Sequence, residues 1–466
     1  MNKSTFKQFG RDLRDAVKGI PHDYTNGSIG RAITLLAIPM MLEMIMESIF
    51  ALVDIYFVGK LGAEAVVTIG MTETLMILVT SLGAGLAIGA TAVVARRIGE
   101  KRVEAARSAA LQSIYLSILV SVPIAVAGIL FASPLLVGLG AAPDVVQSGS
   151  LNMAIMLGGN ATLILLTVIN GVFRGAGNPA TSMRILLVAN GINIILDPLL
   201  IFGVGPFPEL GVVGAAVATN IGRGLGVCYQ IYHLFNGEGK IRIDWHHLTW
   251  DGQAMKRIMA ISAGTVLQIL LRNTSYIAIL RLIAIFGSQA VAGYTIGLRI
   301  ITLALLPTWG LAGAAATLVG QNLGAGKPQR ASLCVWRTSA YSTLFLLVVT
   351  LAFVLSAHQI IGLFTTDSDV ETEGAVFIYT ISIGFVFYGA GMALLQGLNG
   401  AGDTRWPTII NLVFNWFLQM PLAYYLAVTM EMGPSGIYIS MSATLFLMAV
   451  AAGWVFYRGK WKHKQI

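Results

Sequence analysis

The sequence predicts an all-α membrane protein with about twelve transmembrane helices. They form two six-helix lobes related by a pseudo-two-fold axis along the membrane normal. Three observations lead there. The 466 residues are 56% hydrophobic and only 11% charged, against roughly 25% charged in soluble domains, and the mean hydropathy is +0.76. Apolar runs of bilayer length recur about twelve times. The second half of the chain repeats motifs of the first at one constant offset.

Taken in order, the predicted spans are 32–58, 65–95, 107–131, 150–173, 180–204 and 211–235 in the first half. In the second half they are 257–285, 289–319, 332–356, 375–398, 407–429 and 435–457. The 52 glycines suit membrane helices, where glycine is commoner than in soluble ones. Residues 1–31 read as a polar tail with no short apolar segment before a small-residue cleavage site, so no cleavable signal is expected. Residues 236–256 form the longest connection and divide an N-lobe (32–235) from a C-lobe (257–457). A basic tail (458–466) follows. Cys228 and Cys334 lie in or beside apolar segments and build neither a disulfide framework nor a metal cluster.

Lysine and arginine cluster on alternate connections: the N-terminal tail, "RRIGEKRVEAAR", Arg174 with Arg184, Lys240 to Arg257, Lys327 to Arg337, Arg405 and "RGKWKHKQI". The other connections hold Lys60 alone and carry Glu64, Asp144, Glu209, "TTDSDVETEG" and Glu431. The positive-inside rule therefore puts both termini in the cytoplasm of a multi-pass protein of the bacterial inner (plasma) membrane. The net charge of +8 follows from that topology and not from binding to nucleic acid. Two motifs mislead. "GAGKP" lacks the first glycine of a phosphate loop (Gln321 stands there) and has Pro328 after the lysine. "DWHHLTW" reads as an interfacial amphipathic stretch, since adjacent histidines point to different helix faces.

The repeat is carried by "IGEKRVEAA" and "LGAGKPQRA", "LGAEAV" and "FGSQAV", and "RGAGN" and "NGAGD". Gly99 pairs with Gly324, Leu61 with Phe286 and Arg174 with Asn399, all at one offset (324 − 99 = 225). Six helices per half insert both halves the same way up, the parallel-repeat plan of transporters that work by alternating access.

Charges inside the spans divide by sign. The acids, Glu43, Glu47, Asp54, Glu73 and Asp197, all fall in the first half; Arg223 is there too, and Arg272, Arg281 and Arg299 lie in the second. Each ionised group costs roughly 2.5–3.5 kcal/mol at a helix centre on insertion scales, so intramembrane acids read as functional. Glu43, Glu47 and Asp54 form one stripe at about 100° per residue, and Asn190, Asn193 and Asp197 form another. The two stripes are expected to share one polar chamber in the outer half of the first bundle, a proton or small-cation site. The competing reading has Asp54 snorkelling to the interface and the asparagines joining helices. Glu47 and Arg272 are equivalent by the offset. A latch between them, a cleft-facing unpaired Arg272 and an Arg272 buried in its own lobe all stay open.

These residues resemble the multidrug and toxic compound extrusion (MATE) family of cation-coupled efflux transporters. The likeness rests on Pro39, Glu47 and Asp54 ending in "VDIYFVGKLG", on "NGVFRGAGNP", "NIILDPLLIFG", "GQNLGAGKPQRA" and "QGLNGAGDTRWP". It implies antiport of small organic, cationic substrates outward against H+ or Na+, with no cofactor and no enzymatic activity, by a monomer among membrane lipids. It implies Asp54 and Asp197 as the cation site, with sodium as one candidate ion, supported by Glu47, Asn170 and Asn193, and Pro39 as the point where the first helix bends. Glu43, Glu73, Asn190, Gln268, Arg272 and Arg299 are candidates to line the substrate cleft. No acid lies inside a second-half span, which departs from the NorM-like branch and approaches the DinF-like one. The arginines keep a lipid-linked oligosaccharide flippase of the same superfamily as an alternative. A channel or a membrane-embedded enzyme is a third class, without a filter motif, ligand cluster or nucleophile–base pair.

Overall fold

The computed structural model describes residues 3–236, 241–244 and 249–466, so the middle of the "DWHHLTW" stretch lies outside the described residues. Every regular element among the described residues is a helix. In order come α1 (Lys3–Lys18), α2 (Ile29–Gly59), α3 (Ala63–Gly99), α4 (Val103–Gly138), α5 (Pro143–Gly158), α6 (Asn160–Gly175), α7 (Pro179–Ile201) and α8 (Val212–Asn236). The second half adds α9 (Gly252–Ile283), α10 (Ser288–Gly324), α11 (Pro328–Gly362), α12 (Ser368–Gly400), α13 (Arg405–Leu412), α14 (Met420–Tyr424) and α15 (Pro434–Tyr457). Eleven spans among the described residues are long and apolar enough to cross a membrane, with α5–α6 as one and Arg405–Thr429 as another. The sixth expected span is the 25-residue α8, whose apolar run is interrupted by Asn220, Arg223 and Gln230. Several helices outrun the bilayer: the 37 residues of α3 extend about 55 Å at 1.5 Å per residue, against a core of about 30 Å.

The duplication holds at the level of the backbone. The offset relates both ends of α3 to those of α10, the first residues of α4 and α11, and the last of α6 and α12. The non-helical residue that kinks α4, Phe131, has its counterpart in Ser356 of α11. Left-handed positions recur too: Gly62 (φ 103°) with Gly287 (φ 106°), Gly177 (φ 83°) with Gly402 (φ 79°), and Lys101 (φ 58°) with Gly326 (φ 69°). The halves differ where polar side chains intervene. Helix α12 is continuous, but α5 and α6 part at Gly159, where Asn220 fills the space a Cβ would take. Asn220 Nδ2 donates to Ile155 O (3.2 Å), and Thr162 Oγ1 donates to Gly159 O (2.9 Å), so the carbonyls at the break keep partners. Arg405–Thr429 widens to π-helical turns at Val413–Gln419 and Tyr425–Thr429, whereas its counterpart α7 stays α-helical.

The chain forms two compact units. One comprises residues up to Val17, His22–Met41 and Leu267–Ile466; the other comprises Lys18–Pro21 and Leu42–Val266. Helix α2 therefore changes unit after Met41 and α9 changes unit after Val266, positions that the same offset relates (266 − 41 = 225). Each transferred half-helix is seated on a glycine of a long helix. In the second-half unit a Cβ on Gly310 would stand 2.8 Å from Met41 N; in the first-half unit a Cβ on Gly85 would stand 2.8 Å from Val266 N. The offset pairs those glycines too, and only a residue without Cβ admits backbone that close. Thr265 Oγ1 adds a hydrogen bond to Gly85 O (2.8 Å).

The polar N-terminal segment contains α1, and its Ala16 and Tyr24 pack in the second-half unit. Ala16 and Tyr24 join Ile29, Ile33, Leu36, Leu318 and Cys334 in one apolar cluster. Arg31 pairs with Asp12 and Asp15, both at 3.0 Å.

Candidate functional site

Helix α7 carries the site. Its sequence "ANGINIILDP" puts Asn190, Asn193 and Asp197 on one face by helical periodicity, and all three are buried, Asp197 completely (0% exposed). Pro198 follows immediately. Having no N–H, it cannot bond the Ile194 carbonyl one turn back. Helix α8 lies close against this face because Gly222 admits Asn193 Cβ and Ala189 O at about contact distance. Asn193 Nδ2 donates to Thr219 Oγ1 of α8 (3.3 Å).

What remains without a partner defines the chemistry. Both carboxylate oxygens of Asp197, Oδ1 of Asn193, Nδ2 of Asn190 and Oδ1 of Asp54 are buried and accept or donate no hydrogen bond. Asp54 is half-buried on α2 and lies within electrostatic reach of Asp197. One turn beyond each, Val58 and Ile201 enter one apolar cluster with Ala65 and Ala215, and the Phe57 and Phe202 rings meet edge-to-face at 6.3 Å. This apolar layer stands one helical turn from each carboxylate, towards the acid-rich connections. A buried carboxylate and amide oxygen without partners, beside a second carboxylate, are costly unless neutralised. Oxygen donors of this kind fit a proton or a hard monovalent cation. Among the described residues no group of three His, Cys, Asp or Glu side chains could hold a metal ion.

Other sequence-derived candidates lie around this centre. Glu73 is exposed and within electrostatic reach of Asp54; Glu47 is exposed and within reach of Arg174 and Arg223. Glu43 is buried and faces Arg174 of α6, with Oε1 at 3.8 Å from Nη1. Asn170 is buried on α6, and its Oδ1 accepts from Gln230 Nε2 (2.8 Å). Gln230 is eleven residues along α8 from Thr219, about 16 Å, so the structure does not bring Asn170 to the Asn193–Asp197 face. Pro39 lies within continuous α2, two residues before the helix changes unit. In the other unit, Gln268 is buried against Asn399 and Thr404, Arg272 is half-buried within reach of Tyr276, and Arg299 is exposed.

Sequence reasoning missed Thr219, Arg223 as a neighbour of Glu47 and Asp54, and Gln230 as Asn170's partner. The available signal was that Thr219 and Arg223 stand four apart on one helix face.

A helical membrane protein with this duplicated two-lobe plan is a transporter of the MATE fold, not an enzyme. An outward-facing multidrug resistance MATE transporter of the MOP superfamily superposes with a TM-score of 0.88 at 25% identity, covering 95% of this chain and 98% of that one. The MatE family profile matches twice, over residues 39–199 and 265–425. The chain belongs to the MatE family. Among curated relatives, "Probable multidrug resistance protein NorM" of Thermotoga maritima is 27% identical over 94% of both chains. The "FAD transporter" of Shewanella oneidensis is 27% identical over 92% of this chain and 95% of its own.

Proposed function

We propose that the protein exports small organic, mostly cationic substrates by alternating access, exchanging them for H+ or Na+ that binds at Asp54 and Asp197. The observation that carries this is Asp197: a fully buried carboxylate with two unpartnered oxygens, within electrostatic reach of a second carboxylate. Such a pair has a standing need for a positive charge. An ion entering down its gradient meets that need and, on leaving, changes the electrostatics of the chamber. Asn193, held by Thr219, aims its free oxygen at the same ion, and Arg223 is the counter-charge that Asp54 and Glu47 share. The names of the NorM relative and of the superposed multidrug transporter support small organic, drug-like substrates and say nothing of their charge. In this reading the basic connections and both termini face the cytoplasm, the N-lobe (32–235) and C-lobe (257–457) are the two transport repeats, and Pro39 lets α2 bend.

We read the chain as closer to the DinF-like branch, with coupling confined to the first lobe, because residues 257–285, 289–319, 332–356, 375–398, 407–429 and 435–457 hold no acid; the acids of α12, Asp369, Glu371 and Glu373, stand in its first two turns. Arg272 and Arg299 favour one alternative, movement of a pyrophosphate-bearing lipid carrier. Purified protein in vesicles discriminates. Ethidium transport should follow an imposed H+ or Na+ gradient and collapse when that gradient is dissipated. Movement of a fluorescent pyrophosphate lipid without ethidium transport would select the alternative.

A further inference from the structure

Directly after the point where each crossing helix changes unit stands a buried polar side chain: Glu43 on α2 (2% exposed) and Gln268 on α9 (8% exposed). The positions are equivalent, 268 − 43 = 225. Each meets a partner near the end of a long span. Glu43 Oε1 lies 3.8 Å from Arg174 Nη1 on α6. Gln268 and Asn399 of α12 exchange two hydrogen bonds, Nε2 to Oδ1 and Oε1 from Nδ2, both 3.2 Å. The partners are equivalent as well, 399 − 174 = 225. The same contact is thus made twice, once by ions and once by amides.

The surroundings fix each pair in its own unit. Arg174 Nε donates to Asn170 O (3.3 Å), and Glu47, one turn past Glu43, is also within reach of Arg174. Gln268 Nε2 reaches Thr404 O (3.3 Å), and Asn399 Nδ2 also donates to Gln396 Oε1 (3.0 Å). The place of the contact is common to both halves and its charge is not, so what the two halves share there is geometry.

We propose that Glu43 with Arg174, and Gln268 with Asn399, are positioning pairs for the transport reaction. Each pins the newly entered half of a crossing helix to the span beside it, α2 to α6 and α9 to α12. In the first-half unit this sets the register of α2 and hence the place of Asp54, eleven residues on. Glu43 and Gln268 act through helix position and not by touching substrate. The proposal rests on the efflux reading above, so its test needs one readout that does not.

The test installs the second half's solution in the first. Variants Glu43→Gln, Arg174→Asn and the double Glu43→Gln/Arg174→Asn are compared with wild type in vesicles. Each single variant removes one member of the contact and leaves the other in place, so kcat should fall about tenfold with KM within about twofold. The double variant should regain kcat to within about threefold of wild type. Hydrogen exchange along residues 44–54 should rise in the single variants and return towards wild type in the double. If the single variants fail to insert, insertion becomes the readout and the double must restore it. Wild-type kcat and exchange in the single variants, a double no better than the worse single, or a rise in KM alone would each overturn the proposal. Wild-type protein that moves no cation under either gradient, yet shows the expected exchange pattern, would overturn the efflux reading and leave the pins standing.

Discussion

At the scale of single residues, the decisive contrast is between Asp197 and Glu43. Both are buried acids, and Glu43 Oε2 lacks a donor as both Asp197 oxygens do, but Glu43 Oε1 has the Arg174 guanidinium 3.8 Å away. A stabilising role demands a partner; a group that exchanges an ion demands the lack of a permanent one. Replacing Asp197 by Asn removes a buried charge at nearly constant volume, so the thermal midpoint in detergent should hold or rise while gradient-driven transport disappears. A clear fall in the midpoint would mean that Asp197 is structural. Glu43→Gln should do the reverse for stability, lowering it by about 1 kcal/mol because Arg174 loses one carboxylate neighbour while keeping Asn170 O and Glu47, as read by thermal unfolding. The Asn190–Asn193–Asp197 stripe was legible because helical period alone sets it. The Glu43–Arg174 pair was not, since its members stand on α2 and α6, with three helices between them in the chain, and nothing local links them. Asn170 was grouped with the acids through family resemblance, and only packing reveals its bond to Gln230.

At the scale of elements, hydropathy located the spans but shortened them, because the polar ends that project beyond the apolar run carry no membrane signal. The helical N-terminal segment escaped notice for the same reason: it packs through a few side chains such as Ala16 and Tyr24. Also hidden was the exchange of half-helices, which depends on Gly85 and Gly310 admitting backbone within contact distance. Gly85→Ala and Gly310→Ala should each overpack that contact and cost about 1–3 kcal/mol, lowering the unfolding midpoint. Unchanged midpoints in both variants would remove the glycines' role. Lys101 offers the opposite test. It holds a left-handed conformation that its counterpart Gly326 adopts freely, so Lys101→Gly should relieve about 1 kcal/mol of strain and leave transport unaltered. Destabilisation on thermal unfolding would contradict this.

At the scale of the whole molecule, the duplication was the most legible feature. One offset read from three motifs also describes helix ends, kinks, left-handed residues and the two points where helices change unit. What the offset does not preserve is charge: Asp54 corresponds to Ile279, Asp197 to Leu422 and Glu43 to Gln268. A symmetric scaffold whose mid-helix acids Glu43, Glu47, Asp54 and Asp197 have neutral or basic counterparts is the basis of the proposal that ion coupling belongs to the first half. The most direct measurement of that assignment is ethidium transport by purified protein in sealed vesicles under an imposed H+ or Na+ gradient, comparing wild type, Asp197→Asn and the second-half variant Arg272→Gln. Wild type should respond to one of the two gradients. Asp197→Asn should fall to the leak of protein-free vesicles, and Arg272→Gln should keep its dependence on the gradient even if its rate changes. Gradient-driven transport by Asp197→Asn at the wild-type rate, or loss of gradient dependence only in Arg272→Gln, would contradict the account.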